Sequence, residues 1–293
     1  MKKVTLAVGL FAIFLAGCSI QQPVVNRNHK PETVHDHSKS SRYHQAVITA
    51  QKKGSKQRQA LAAVAKHYIG RAGSDASSNR DSVMIYPSKV KAYAGRVRGY
   101  KGIVVSGVVT NWRPHARSAN HEVLTEYELL VNRQLTFRAK QNLEGTTIKV
   151  LHLGGYTTIG DQMDGMPDKP QVAAVESEKV IFTEQISSPL PRIGDQIFIA
   201  LVPNDRQANL NFYNQNRFSK TDIFSLAAGD NCYFFFNKHT KQYEARIADP
   251  ETGQLKATNL NSGEDDAYQK ARHEMLADVN RHYRESETKN VDG

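Results

Sequence analysis

Gly102-Ile103-Val104-Val105-Ser106-Gly107-Val108-Val109-Thr110 is the stretch that decides the fold. Six of these nine residues are β-branched apolar or Thr, and no helical period runs through them. A short continuous apolar run bounded by turn residues reads as a strand with both faces buried. Gly107 inside it predicts a bulge or a sharp bend. Downstream, Thr125, Tyr127, Leu129 and Val131 alternate with Glu126, Glu128, Leu130 and Asn132, the period of a half-buried strand. Thr147 to Leu153 is another strand, stopped by Gly154-Gly155. Glu178 to Gln185 follows, and the turn Arg192-Ile193-Gly194-Asp195 introduces Ile197 to Val202. Cys232 to Phe236 and Tyr243 to Ile247 form a closing hairpin around Asn237 to Gln242. Val83-Met84-Ile85-Tyr86 is a short run ended by Pro87. Several short strands with glycine-containing turns argue for a barrel or a sandwich.

Helical periodicity marks two flanking segments. In Gln57 to Ile69, Leu61, Val64, Ala65, Tyr68 and Ile69 recur at helix spacing, with Ser55 as N-cap and Gly70 as C′ residue. In Glu264 to Arg284, Tyr268, Ala271, Met275, Leu276, Val279 and Tyr283 form one face. Acids at its start and bases near its end complement the helix dipole. The expected class is therefore mainly β with flanking helices (α+β). The expected organisation is a leader over 1–17, a flexible segment over 18–54, helix and loop over 55–82, a β-domain over 83–250 and a C-terminal helix over 262–286.

The order of the strands carries a resemblance. The Ile103–Val109 strand, the Thr125–Val131 strand, the Gly145 turn, the Thr147–Leu153 strand with Gly154-Gly155, and Pro191-Arg192-Ile193-Gly194-Asp195 leading into Ile197–Leu201 come in sequence. Together they resemble OB-like β-barrel domains that recur in secreted bacterial proteins. The likeness covers roughly residues 95–248 and bears on fold rather than on function.

The start of the chain has its own signature. Met1-Lys2-Lys3 is followed by 13 uncharged residues, Val4 to Ala16. That length suits a secretory signal and falls short of the roughly 20 apolar residues a spanning helix needs. The stretch ends Leu15-Ala16-Gly17-Cys18, which resembles the bacterial lipobox. The resemblance implies cleavage before Cys18, a diacylglyceryl group on its thiol, and a mature protein held on the extracytoplasmic side of a bacterial membrane. One acyl chain gives only reversible binding, so stable anchoring uses more than one.

Charge is unevenly spread. Residues 19–101 hold 16 Lys and Arg against 4 Asp and Glu, whereas the remainder, 102–293, holds 21 against 25. The basic part lies nearest the lipid. It fits contact with an anionic membrane or wall polymer, and equally a solvated basic linker. Nucleic acid is an unfavoured partner, because a basic balance alone is a weak signal. Residues 19 to about 54 read as a tether, in which His35-Asp36-His37 is a loose metal-binding pattern that nothing rigidifies.

No GxSxG elbow, Walker loop, HExxH or CxxC occurs, so no cofactor is indicated and catalysis is not the favoured reading. His115, His121 and His152 offer bases, with Glu122, Glu126 or Asp161 as orienting acids, but their spacing enforces no contact. Asp161, Asp164 and Asp168 read as an exposed acidic loop, since their spacing is wrong for calcium. Cys232, within an apolar run, reads as a buried small hydrophobe rather than a catalytic thiol. The ligand-contact candidates are Trp112 and Arg113 after the first strand, and Tyr213 and Phe218 in a polar-aromatic loop. Aromatics beside basic residues on such a barrel stack bases or sugars. The expected function is a non-catalytic binding module for an envelope polymer, protein or small ligand. The alternatives are an envelope enzyme with an unrecognised site, and a structural or inhibitory partner of another envelope protein.

Overall fold

The computed structural model describes residues 34–69, 88–94, 96–97, 100–115, 123–135, 142–163, 174–203, 223–227, 232–249, 254–258 and 267–288. The leader with Cys18, the run 83–86, and the loop carrying Tyr213 and Phe218 lie outside them. The protein is mainly β with flanking helices, as expected.

Its centre is a seven-stranded sheet. Strand β4 (Ile103–His115) pairs antiparallel with β5 (Leu124–Gln134) and with β9 (Gln196–Pro203). β5 continues antiparallel to β6 (Thr147–Leu153), which lies parallel to β10 (Ile223–Leu226). β10 makes a second, antiparallel pairing with β9. On the far side of β9 lies β11 (Tyr233–Asn237), with β12 (Gln242–Glu244) at the edge. The expected bulge is present: the β4–β5 register shifts between Ser106 and Gly107, and a second shift falls between Val109 and Asn111.

β4 near Val104 and Val105 and β9 from Ile197 to Val202 are apolar on consecutive positions because both of their faces are covered. On one face Val105, Val109, Ile197, Ile199, Tyr233 and Phe235 join the main core. On the other, Val104, Phe198, Ala200, Cys232 and Phe234 meet Met275 and Val279 of the C-terminal helix α4 (Ala267–Thr288). Val108 packs separately under Val47 and Ala50 of the N-terminal helix α1 (Val34–Ala62). The Ala271, Met275 and Val279 face of α4 is buried, in line with its sequence period.

Smaller pairings flank this body. β1 (Ala65–Ile69) lies parallel to β8 (Val180–Gln185), which pairs antiparallel with β7 (Gly155–Thr158). Two short helices, α2 (Ile159–Met163) and α3 (Ala174–Ser177), fall between β7 and β8. β13 (Arg246–Ala248) pairs with β14 (Leu255–Ala257), and β2 (Arg96–Val97) with β3 (Tyr100–Lys101).

Three expectations are corrected. Residues 34–54 of the anticipated tether are helical, forming the first part of α1. The anticipated helix over 57–69 ends at Ala62, and its second half is strand β1. Pairing with β8, from Ala65 opposite Ile181 to Ile69 opposite Gln185, overrides a local period that fits either element. Finally, β4 runs on to His115, so Trp112 and Arg113 stand within the strand rather than beyond it.

Candidate functional site

Trp112 is half-buried on β4, and its indole stacks parallel to Phe182 at 6.1 Å between ring centres. Its Nε1–H donates to the Pro191 carbonyl at 2.7 Å. The ring packs and its polar atom is engaged inside the protein, while the residue as a whole stays half-buried. Arg113 beside it is exposed.

Of the titratable groups named as potential bases and acids, His121 and Glu122 lie outside the described residues, and His152, Glu126 and Asp161 do not assemble. His152 is buried, and its Nε2 lies 2.9 Å from the Ser188 carbonyl oxygen. A carbonyl only accepts, so the ring proton sits on Nε2. That nitrogen therefore has no lone pair for the Ser188 hydroxyl 3.5 Å away, and the two do not form a nucleophile–base pair. Burial pulls the His152 pKa down to about 4, so the ring is neutral near pH 7. Glu126 stands opposite Leu151 in the β5–β6 register while His152 stands opposite Thr125, which puts the two on opposite faces. Glu126 instead meets Lys149 Nζ at 3.0 Å. Asp161 is exposed at the start of α2. Cys232 is buried and burial raises its thiol pKa, the reverse of what a reactive thiolate needs. Among the described residues no three His, Cys, Asp or Glu side chains gather as a metal site.

A charged cluster that sequence reasoning missed lies beneath Trp112. Glu184 and Arg192 are both buried and form a two-pronged ion pair, Nη1 to Oε1 at 2.7 Å and Nη2 to Oε2 at 2.9 Å. The Arg192 guanidinium lies 5.2 Å from the Phe182 ring centre and 5.8 Å from that of Trp112. Nη1 also donates to the Leu190 carbonyl at 2.7 Å, and the Leu190 N–H donates to Glu184 Oε1 at 3.0 Å. Asp195 closes the same turn, its Oδ2 accepting the Arg192 N–H at 2.8 Å. The signal for this cluster was present in β8. Phe182 and Glu184 share one face of the strand, and a carboxylate on an inward face requires a partner.

The Arg192–Asp195 turn opens onto a cleft of about 480 Å³. Its walls come from α1, β1, this turn, the β11–β12 turn and the β13–β14 pair. Arg58, Lys66, Lys238 and Arg246 line it, and Asp195 is the single carboxylate among the lining residues. Arg58 Nη1 donates to the Ile193 carbonyl at 3.4 Å, and Lys66 Nζ to the Val64 carbonyl at 3.3 Å. Carbonyl acceptors hold these side chains in place without cancelling their charge. Arg246 differs, since its Nε meets Glu244 Oε1 at 2.7 Å.

α1 is seated on this turn by two glycines. A Cβ on Gly54 would collide with the Ile193 carbonyl oxygen, and one on Gly194 would lie 2.7 Å from Gln51 Cα. Gly194 also has φ +89°, in the left-handed region that favours glycine. Gln57 Oε1 accepts the Ile193 N–H at 2.9 Å, completing the docking.

No protein-family model, curated protein or solved structure matches the chain.

Proposed function

We propose that this chain is a lipid-anchored, non-catalytic binding module on the extracytoplasmic side of a bacterial membrane. Leu15-Ala16-Gly17-Cys18 supports the anchor, with lipid on the Cys18 thiol. An OB-like barrel is the finer reading of the β-body. It is supported by the pairing cycle β4–β5–β6–β10–β9 and back to β4, in which only the β6–β10 step is parallel. Five strands paired in a ring leave no open edge between them, and ligands of such barrels meet the strand faces and the connecting loops.

The observation that carries the binding reading is the concave, cation-lined cleft between α1, the β11–β12 turn and the β13–β14 pair. Small-ligand sites are cavities of roughly 300–1,000 Å³ with a few convergent polar groups. The engagement of His152 Nε2 by the Ser188 carbonyl favours this module over hydrolysis by a Ser–His pair.

Two measurements test the proposal. The parent partitions with membranes and carries lipid mass on Cys18, whereas Cys18→Ser moves to the soluble fraction. A Cys18→Ser chain that still pellets with membranes refutes the anchor. The full chain, immobilised in detergent, captures envelope material in a salt-sensitive way. Absence of capture at both low and high salt refutes the binding module.

A further inference from the structure

We propose that the cleft is an acidic-saccharide site: it takes sugar units bearing carboxylate or phosphate groups, as an envelope polymer would present them. The inference rests on the binding-module reading and names the ligand class of that same site.

Cations reach the cleft from elements far apart in the chain. Arg58 comes from α1, Lys66 from β1, Lys238 from the β11–β12 turn and Arg246 from β13. The charges present are only partly answered. Arg192 is paired with Glu184, and Arg246 with Glu244. Asp195 accepts a backbone N–H and is the one acid in the lining. Arg58 and Lys66 bond to carbonyls, so the cleft keeps an excess of positive charge. A concave wall concentrates that field on whatever enters.

The remaining lining residues say what kind of anion fits. Gln51 and Gln196 add primary amides. Each amide offers two N–H donors and a carbonyl acceptor, which is the complement of a hydroxyl that both gives and takes. Leu61, Phe236 and Leu255 supply apolar surface for the C–H face of a ring. A bare inorganic anion needs the cations but neither the amides nor the apolar wall. A flat bilayer surface needs no cavity. A hydroxylated ring carrying negative charge uses all three features, and about 480 Å³ admits one or two such rings.

Titration calorimetry on the full chain in detergent micelles tests this with four probes. Trigalacturonate and glucose 1,6-bisphosphate carry sugar and charge. Maltotriose carries sugar alone, and glycerol 3-phosphate carries a lipid-type phosphate without a ring. The first two bind and weaken with added salt, while the other two bind at least about tenfold more weakly. Arg58→Gln combined with Lys238→Gln weakens the acidic probes at least about tenfold. Lys238 is exposed on its turn, so Lys238→Gln alone keeps the fold and carries the test if the double variant does not fold. Equal binding of maltotriose would show that charge is irrelevant. Equal binding of glycerol 3-phosphate would show a plain phosphate or lipid-headgroup site. Unchanged binding by Lys238→Gln and the double variant would place the site elsewhere; each of these results, or no binding of the acidic probes, overturns the inference. A parent that captures envelope polymer but ignores these probes sinks the saccharide assignment and leaves the module intact. A parent that captures nothing sinks both.

Discussion

Removing the Glu184 carboxylate is the perturbation whose cost the structure sets most directly. Glu184 is fully buried and Arg192 is 5% exposed, so Glu184→Gln leaves a guanidinium in the interior without its counter-charge. Breaking one side of a buried pair costs about 3–5 kcal/mol, chiefly from the stranded charge. The double replacement Glu184→Leu with Arg192→Met removes both charges at similar volume. It still strands the Leu190 N–H and carbonyl, which now bond to Glu184 Oε1 and Arg192 Nη1. Two lost hydrogen bonds of about 1 kcal/mol each leave a residual cost of about 2 kcal/mol. The double variant is therefore more stable than Glu184→Gln. Urea unfolding followed by tryptophan emission measures this, because Trp112 is the only tryptophan and lies 5.8 Å from Arg192. A loss below about 1 kcal/mol for Glu184→Gln would refute the assignment of a buried ion pair. So would a double variant whose loss is the sum of the two single losses.

Two further perturbations probe the interior and the helix seat. Burial lowers the His152 pKa from 6.5 to about 4, so the unfolded chain takes up a proton at higher pH than the fold does. Stability from this group is complete above pH 6.5 and declines as pH falls toward 4, by about 3 kcal/mol in all. His152→Gln removes that part of the acid slope in urea midpoints taken between pH 7 and 4; an unchanged slope refutes the burial argument. Gly54→Ala sets helix propensity against a clash. An exposed helical site gains about 1 kcal/mol from this change, whereas the Cβ here meets the Ile193 carbonyl and the overpacking costs about 1–3 kcal/mol or more. The thermal midpoint of the full chain falls; a rise would mean that α1 does not rest on this turn.

The legible parts of the fold are those whose residues declare their environment locally. β4 is apolar on consecutive positions because Val104 and Val105 face different cores, and the α4 face repeats at helix spacing. α1 was hidden because its packing face is built from small and polar residues. Val47, Ala50, Gly54 and Leu61 are buried, with Tyr43 half-buried before them and Gln57 half-buried among them, so the period is present without the hydrophobicity that usually marks it. Ala50 and Gly54 are small because backbone passes over them at Gly194 and Ile193. No glycine or proline stands between Ala62 and Ala65 to signal the change from helix to strand. Trp112 is the only tryptophan, yet what fixes its indole is the Pro191 carbonyl, 79 residues away. The cleft was illegible for the same reason, since its cations come from segments that only the tertiary fold joins.

That joining changes how the basic N-terminal part should be understood. Its excess of Lys and Arg fits a surface pressed against anionic lipid or polymer, and equally a solvated linker. Within α1 and β1 the structure places several of these charges otherwise. Lys53 donates to Asn111 Oδ1 at 2.5 Å on β4, and Arg58 and Lys66 line the cleft. Arg58 follows Gly54 by one helical turn, so the close approach that seats α1 on Ile193 also brings that guanidinium over the Arg192–Asp195 turn. A helix lifted from the turn would carry Arg58 away and leave the cleft without one wall. The positive charge of this region therefore serves two distances. Arg58 and Lys66 act inside a cavity at contact range, where salt screens weakly, and exposed charges such as Arg42, Lys52 and Lys56 act across solvent, where a Debye length of about 10 Å limits them. The two contributions separate by their salt dependence, and only the first is lost when Arg58 and Lys66 are neutralised.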